Sequence, residues 1–79
     1  MAPTVIKDGA FRLFFFSREE SRMHVHIGHT DGEAKYWLEP SISLAQNFGL
    51  SAQQLRHAEQ LVKTHEQRIR TAWNEHFGN

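Results

Sequence analysis

Met23-His-Val-His-Ile-Gly-His-Thr-Asp-Gly-Glu-Ala-Lys-Tyr-Trp-Leu-Glu39 is the stretch on which the reading of this chain turns. Asp31-Gly32 sits between two apolar, alternating runs, a strong short-range signal for a β-hairpin. A two-residue turn at that dipeptide sets the pairing register. It predicts Thr30 opposite Glu33, Gly28 opposite Lys35, His26 opposite Trp37 and His24 opposite Glu39. Side chains alternate between the faces of a strand. Val25, Ile27, His29, Ala34, Tyr36 and Leu38 then share one face, which is mostly apolar. His24, His26, Lys35, Trp37 and Glu39 share the other. One hairpin thus offers a core face and a titratable, aromatic face.

Upstream, Thr4-Val5-Ile6 is short and apolar, and Asp8-Gly9 reads as a turn. Phe11-Arg-Leu-Phe-Phe-Phe16 has the aromatic make-up of a strand. Arg12 does not belong beneath a helix, so Arg12, Phe14 and Phe16 are expected beside His26, with Phe11, Leu13 and Phe15 in the core. Ser17 to Arg22 is polar and charged and reads as a solvated loop. Downstream, Pro40 ends the second strand of the hairpin or forces an edge position. Ile42, Leu44 and Phe48 fit either an edge strand or a short helical turn.

The C-terminal half carries the plainest helical signal. Ser51 is a good N-cap, Gln54 completes a capping box, and Leu50 with Leu55 forms a hydrophobic staple. Leu55, Ala58, Leu61, Val62, His65, Ile69, Ala72, Trp73 and His76 recur at helical spacing. They predict one helix from about Ala52 to Phe77, stopped by Gly78. Glu59–Lys63 and Glu66–Arg70 are favourable (i, i+4) pairs on its other side. The expected architecture is therefore α+β: a single domain over residues 1–79, with a small antiparallel sheet of three to four strands and one long C-terminal helix on one face. One helix covers one face of a sheet, so the His24/His26/Trp37 face is expected to stay open unless a partner covers it.

Composition narrows the function classes. Seventy-nine residues make one small core. The absence of cysteine removes disulfides and thiolate metal sites. Formal net charge is zero, which argues against a strongly basic nucleic-acid binder but leaves a local basic patch open. Six histidines add positive charge below about pH 6.5. No apolar run is long enough to span a membrane, and no basic stretch followed by a long apolar one marks a signal peptide, so a cytoplasmic location without membrane association is expected.

Pro3-Thr4-Val5, Gly9, Phe11-Arg12, Ser17, His24-Val25-His26, Ala34-Lys35, Trp37-Leu38, Pro40, Gly49-Leu50-Ser51, Leu55 and Trp73-Asn74-Glu75 follow one another in an order and spacing that resembles the bacterial and phage family called domain of unknown function 4160. The resemblance covers nearly the whole chain. His-Val-His and Trp-Leu-x-Pro are its most specific marks. The chain departs from it at Arg22-Met23, where relatives commonly carry two prolines. The resemblance implies a protein partner encoded by a neighbouring gene, in a two-gene module of toxin–antitoxin type. It implies no reaction.

Two chemical readings compete on the titratable face. In one, the face is a protein-interaction surface: Arg12, Phe14, Phe16, Trp37 and Glu39 bind, as a homodimer or with a hetero-partner, and the histidines are polar surface with Trp37 packed on His26. In the other, His24 and His26 are the general base and acid of a metal-independent endoribonuclease, Lys35 or Arg12 stabilises the phosphorane and Trp37 stacks on a base, which makes RNA a candidate partner. Glu39 opposite His24 and Lys35 diagonal to His26 would separate the two titrations. A metal set of His24 and His26 with His29 or Glu39 is thin, since His29 points the other way; no metal and no cofactor is expected. His65 on the apolar stripe reads as a core histidine bonded to backbone or to Asn74. Leu44-Ala45 through Gly49-Leu50-Ser51 mimics a helix-turn-helix, but the first helix has no room and the second has a charge-balanced outer side, so DNA is not an expected partner.

Overall fold

The computed structural model describes residues 4–16 and 21–78. Five strands run in sequence order, each antiparallel to the next: β1 (Thr4–Asp8), β2 (Phe11–Phe14), β3 (His24–His29), β4 (Gly32–Trp37) and β5 (Ser43–Phe48). Two helices follow, α1 (Ala52–Thr64) and α2 (Glu66–Phe77). The class is α+β as expected. The counts differ: five strands where three to four were expected, and two helices where one was.

The hairpin forms, but its register is corrected by two residues. Val25 faces Tyr36, His26 faces Lys35 and His24 faces Trp37, because the loop is Thr30-Asp31 and His29 pairs with Gly32. Among the described residues no non-glycine residue has positive φ, and neither does Gly32, so the left-handed turn that Asp-Gly advertises is not used. A slip of two residues keeps every side chain on its own face. Gly32 answers a different need: a Cβ there would lie 2.2 Å from the Phe48 carbonyl oxygen, where β5 crosses β4. The other two-residue loop, between Asp8 and Phe11, does place a glycine at positive φ, Gly9 at 58°.

The core lies between the sheet and the helices. Leu13, Phe15, Val25, Ile27, Leu38, Val62 and Ile69 are wholly enclosed, and Phe11, Tyr36, Ala58, Leu61 and Trp73 complete the cluster. The expected alternation of Phe11, Leu13 and Phe15 inward holds. Each enclosed aliphatic side chain contributes roughly 1.5–3 kcal/mol.

Ser51 caps α1 as expected: its Oγ accepts from Gln54 N at 3.1 Å, and Gln54 Oε1 accepts from Ser51 N at 2.8 Å. The Gln54 side chain also donates to Asp31 Oδ2 at 2.8 Å, tying the hairpin tip to the helix start. Ser51→Ala should lower stability by about 1 kcal/mol, read from the midpoint of urea unfolding. An unchanged midpoint would contradict the cap.

The expected single helix breaks at His65, whose φ of −107° and ψ of 20° leave the helical region. Its N–H turns to Leu61 and Lys63 oxygens together. The break re-aims the chain, so that α1 packs near β4 and α2 near β1, crossing a twisted sheet. His65 is half-buried at this junction, not in the core. Arg70 fastens α2 to the end of β4 through Leu38 O at 3.2 Å and the Glu39 carboxylate, and pairs within its own helix with Glu66 at 2.8 Å. The carboxylate partners raise its pKa further above the ordinary value.

Tyr36 joins β4 to α1 by donating to Leu55 O at 2.9 Å. Burial, and secondarily Glu59, push its phenol up to about 12. The unfolded chain releases this proton near 10, so the stabilisation is complete below pH 10 and is lost as pH rises towards 12. Melting temperatures taken through that window should fall, and Tyr36→Phe should flatten the fall. A limb of equal slope in the variant would show that another group sets it.

Candidate functional site

The face of the sheet turned away from the helices is built by the odd-even logic of five strands. Arg12 pairs with Gly28, Phe14 with His26, His26 with Lys35, His24 with Trp37, and Thr4 with Phe14, which places these residues on one side. Lys7 joins them opposite Arg12, Glu33 opposite Gly28, and Gln46 and Ser43 from β5 opposite Lys35 and Trp37. The expected grouping of Arg12, Phe14, Phe16, His26, Lys35 and Trp37 is therefore what the fold assembles.

Rings and cations interleave across it. The Arg12 guanidinium lies 4.2 Å over the Phe14 ring, and its Nε donates to Thr4 Oγ1 at 2.9 Å. Phe14 stacks on His26 at 5.6 Å and meets Phe16 edge-on at 5.3 Å. Phe16 meets His26 at 4.5 Å. At the far side Arg22 stacks 4.0 Å over Trp37, and Lys35 Nζ lies 4.5 Å from the same ring. Exposed cation–ring contacts are worth about 0.5–1 kcal/mol each. Phe16 is 47% exposed, and His26 and Trp37 are partly exposed. Phe14 and Lys35 are covered by their neighbours, at 8% and 9%.

Two site residues lie elsewhere than expected. His24 was expected on the open face and is fully buried. Its ring sits among His26 at 5.1 Å, Trp37 at 5.7 Å and Trp73 of α2 at 5.1 Å. Its Nδ1 donates to the Arg22 carbonyl at 2.7 Å, since a carbonyl only accepts. The two imidazoles are neighbours, as the alternation requires, but His24 presents no surface to a ligand in this conformation. Glu39 was expected opposite His24; Trp37 is there instead. Glu39 lies past the end of β4, and its carboxylate pairs with Arg70 on the helix side. The cause is the corrected register.

Arg22 is the residue that sequence reasoning passed over, because it was assigned to a solvated loop. The signal was available: stepping back two residues from His24 along the strand direction gives the same face. Its Nε also donates to the Glu39 carbonyl at 2.8 Å.

Charge is unevenly distributed among the described residues. On the helices Lys63 pairs with Glu59, and Arg70 with Glu66 and Glu39. On the outer face the cations are Lys7, Arg12, Arg22 and Lys35 and the acid is Glu33. Arg12 and Arg22 rest on rings, a hydroxyl and a carbonyl, and among the described residues on no carboxylate.

No group of three or more His, Asp or Glu side chains suited to a metal ion occurs among the described residues. His29 faces the core side, against Phe11 at 4.6 Å, and its Nδ1 accepts from Asp31 N at 3.0 Å. No described helix is long and apolar enough to cross a membrane.

Residues 10–74 match the family model described as "Domain of unknown function (DUF4160)". No curated protein and no solved structure matches the chain.

Proposed function

The chain belongs to the family described as domain of unknown function DUF4160, and from that premise we propose that it is an interaction module, one half of a two-gene toxin–antitoxin-like pair, that engages an anionic partner surface through the outer face of its sheet. The observation that carries this reading is the pair of guanidiniums, Arg12 and Arg22, lying over the rings of Phe14 and Trp37 and paired with no carboxylate among the described residues. Aromatic and arginine side chains of this kind are the usual anchors of recognition surfaces. A cytoplasmic location belongs to the same proposal.

The endoribonuclease alternative needs both imidazoles at one scissile bond. The burial of His24 makes binding the better-supported reading.

The test uses the product of the neighbouring gene. The chain is expressed with and without that neighbour, growth is followed, and the complex is isolated. Arg12→Glu with Arg22→Glu should abolish capture of the neighbour in a variant whose melting curve still shows a cooperative fold, since the two lost cation–ring contacts cost only about 0.5–1 kcal/mol each. His26→Gln should leave both capture and growth effect intact. Undiminished capture by the charge-reversed variant would sink the proposal. A His26→Gln variant that still captures its neighbour but loses its effect on growth would instead favour the ribonuclease.

A further inference from the structure

We infer that the outer face takes, besides its protein partner, a single-stranded nucleic acid, with bases stacked on the Trp37, His26 and Phe16 rings and phosphates on Arg12 and Arg22. This rests on the reading of that face as the recognition surface, and it names what the face takes.

Three observations carry it beyond a general preference for anions. The first is the side-chain inventory. Among the described residues the pairing places Thr4, Lys7, Arg12, Phe14, His26, Glu33, Lys35, Trp37, Ser43, Gln46 and Phe48 outward, and no Val, Leu, Ile or Met. The aliphatic side chains pack on the helix side, including Val5, Ile6 and Met23 at the margins. A surface of rings and cations without aliphatic filling suits the flat faces of bases.

The second observation is spacing. Phe14 faces His26 across β2 and β3, Phe16 lies against both, and Trp37 stands two residues further along β4, opposite His24, so the rings form a diagonal over three adjacent strands, about 10 Å in the hydrogen-bonding direction. Antiparallel sheets that bind single strands lay two or three bases across such a row. Arg22 and Arg12 stand at its two ends, each stacked on a ring, where they meet the backbone of a strand lying across it.

The third observation concerns the duplex. Groove readers insert a helix or a ribbon. Both helices here lie on the opposite side of the sheet, and of their four Lys and Arg side chains Lys63 and Arg70 are paired with carboxylates. Unpaired bases offer the faces this surface can use.

Trp37 supplies the readout. The other tryptophan, Trp73, is buried on the helix side, so a fluorescence change on stacking reports Trp37. Mixed-sequence 12-nucleotide RNA and DNA strands are titrated into the whole chain at low salt. A 12-base-pair duplex and polyglutamate serve as the other arms, and the neighbouring gene's product is assayed in parallel. The expected result is quenching by one or both single strands. Arg12→Gln with Arg22→Gln should weaken binding about tenfold or more and lower the log–log salt slope by roughly 1.4, at about 0.7 per phosphate contact. Trp37→Leu should weaken binding by a similar factor and Trp37→Phe should recover most of it, with melting curves confirming that each variant is folded. Tighter binding of RNA than DNA would add a contact to the 2′-hydroxyl; equal binding would leave stacking and phosphate contacts as the whole interaction. Failure of both single strands to bind, or equal binding of duplex and polyglutamate with Trp37 undisturbed, overturns the inference. If the strands fail while capture of the neighbour still depends on Arg12 and Arg22, only the nucleic-acid inference falls. If neither depends on them, the outer-face reading falls with it.

Discussion

Gly32→Ala is expected to lower the melting temperature by roughly 12–24 °C. The added Cβ would stand 2.2 Å from the Phe48 carbonyl oxygen and 3.0 Å from the Cα and carbonyl carbon of Gly49. All three atoms are backbone, so no rotamer change relieves the clash. β5 must instead move away from β4, where Glu33 faces Phe48, Ala34 faces Asn47 and Lys35 faces Gln46. Overpacking of this kind costs up to about 3 kcal/mol and occasionally more. At about 4–8 °C per kcal/mol for a chain of this size, the melting shift follows. Such a loss is a large part of the 5–15 kcal/mol that typically holds a small domain together. Gly28→Ala is the control. Its Cβ would meet the edge of the Phe14 ring at 3.3 Å, and a ring edge can give way. That variant should melt within a few degrees of the parent. If Gly32→Ala did so too, the close crossing of β5 over β4 would not be real.

Trp73→Ala should cost about 3–5 kcal/mol, the range for removing a large aromatic from a core. Trp73 packs edge-on against Phe15 at 5.4 Å, lies 4.2 Å from Phe77 and covers His24 at 5.1 Å. Its loss leaves a hole bounded by β2, β3 and α2, and opens His24 to water. The midpoint of urea unfolding checks the first consequence, and the reactivity of His24 towards a histidine-modifying reagent checks the second. Trp73→Phe should recover more than half of the stability. A Trp73→Ala variant within about 1 kcal/mol of the parent, with His24 still unreactive, would contradict this packing. The same geometry bears on any activity test. His24→Ala removes a fully enclosed ring and should destabilise the fold, whereas His26→Ala alters a partly exposed one. A loss of function in the His24 variant must therefore be corrected for unfolding before chemistry is read from it.

The faces of the hairpin were legible because alternation is a local property. Val25, Ile27, Tyr36 and Leu38 point inward, and His26, Lys35 and Trp37 outward, whichever of the two registers is taken. The capping box at Ser51 was legible for the same reason: all its partners lie within three residues. β5 was not legible. Its burial pattern as an edge strand, with a register shift opposite Lys35/Tyr36, carries no alternation to detect. The break at His65 was hidden too, since the apolar stripe continues through it without proline or glycine.

What the sequence determined by itself was the class of fold, the inward and outward sides of β2, β3 and β4, and the start of α1. Each follows from side-chain periodicity or capping within a few residues. The tertiary structure decided the rest. Gly32 reads as a turn glycine but serves the passage of Phe48, sixteen positions on. Glu39 reads as a partner for His24 but is drawn to Arg70. His24 reads as exposed but is closed over by Trp73, forty-nine positions away. Periodicity says which side of a strand a residue occupies; it carries no information about which distant segment arrives there, because that depends on how the twisted sheet and a broken helix fit together.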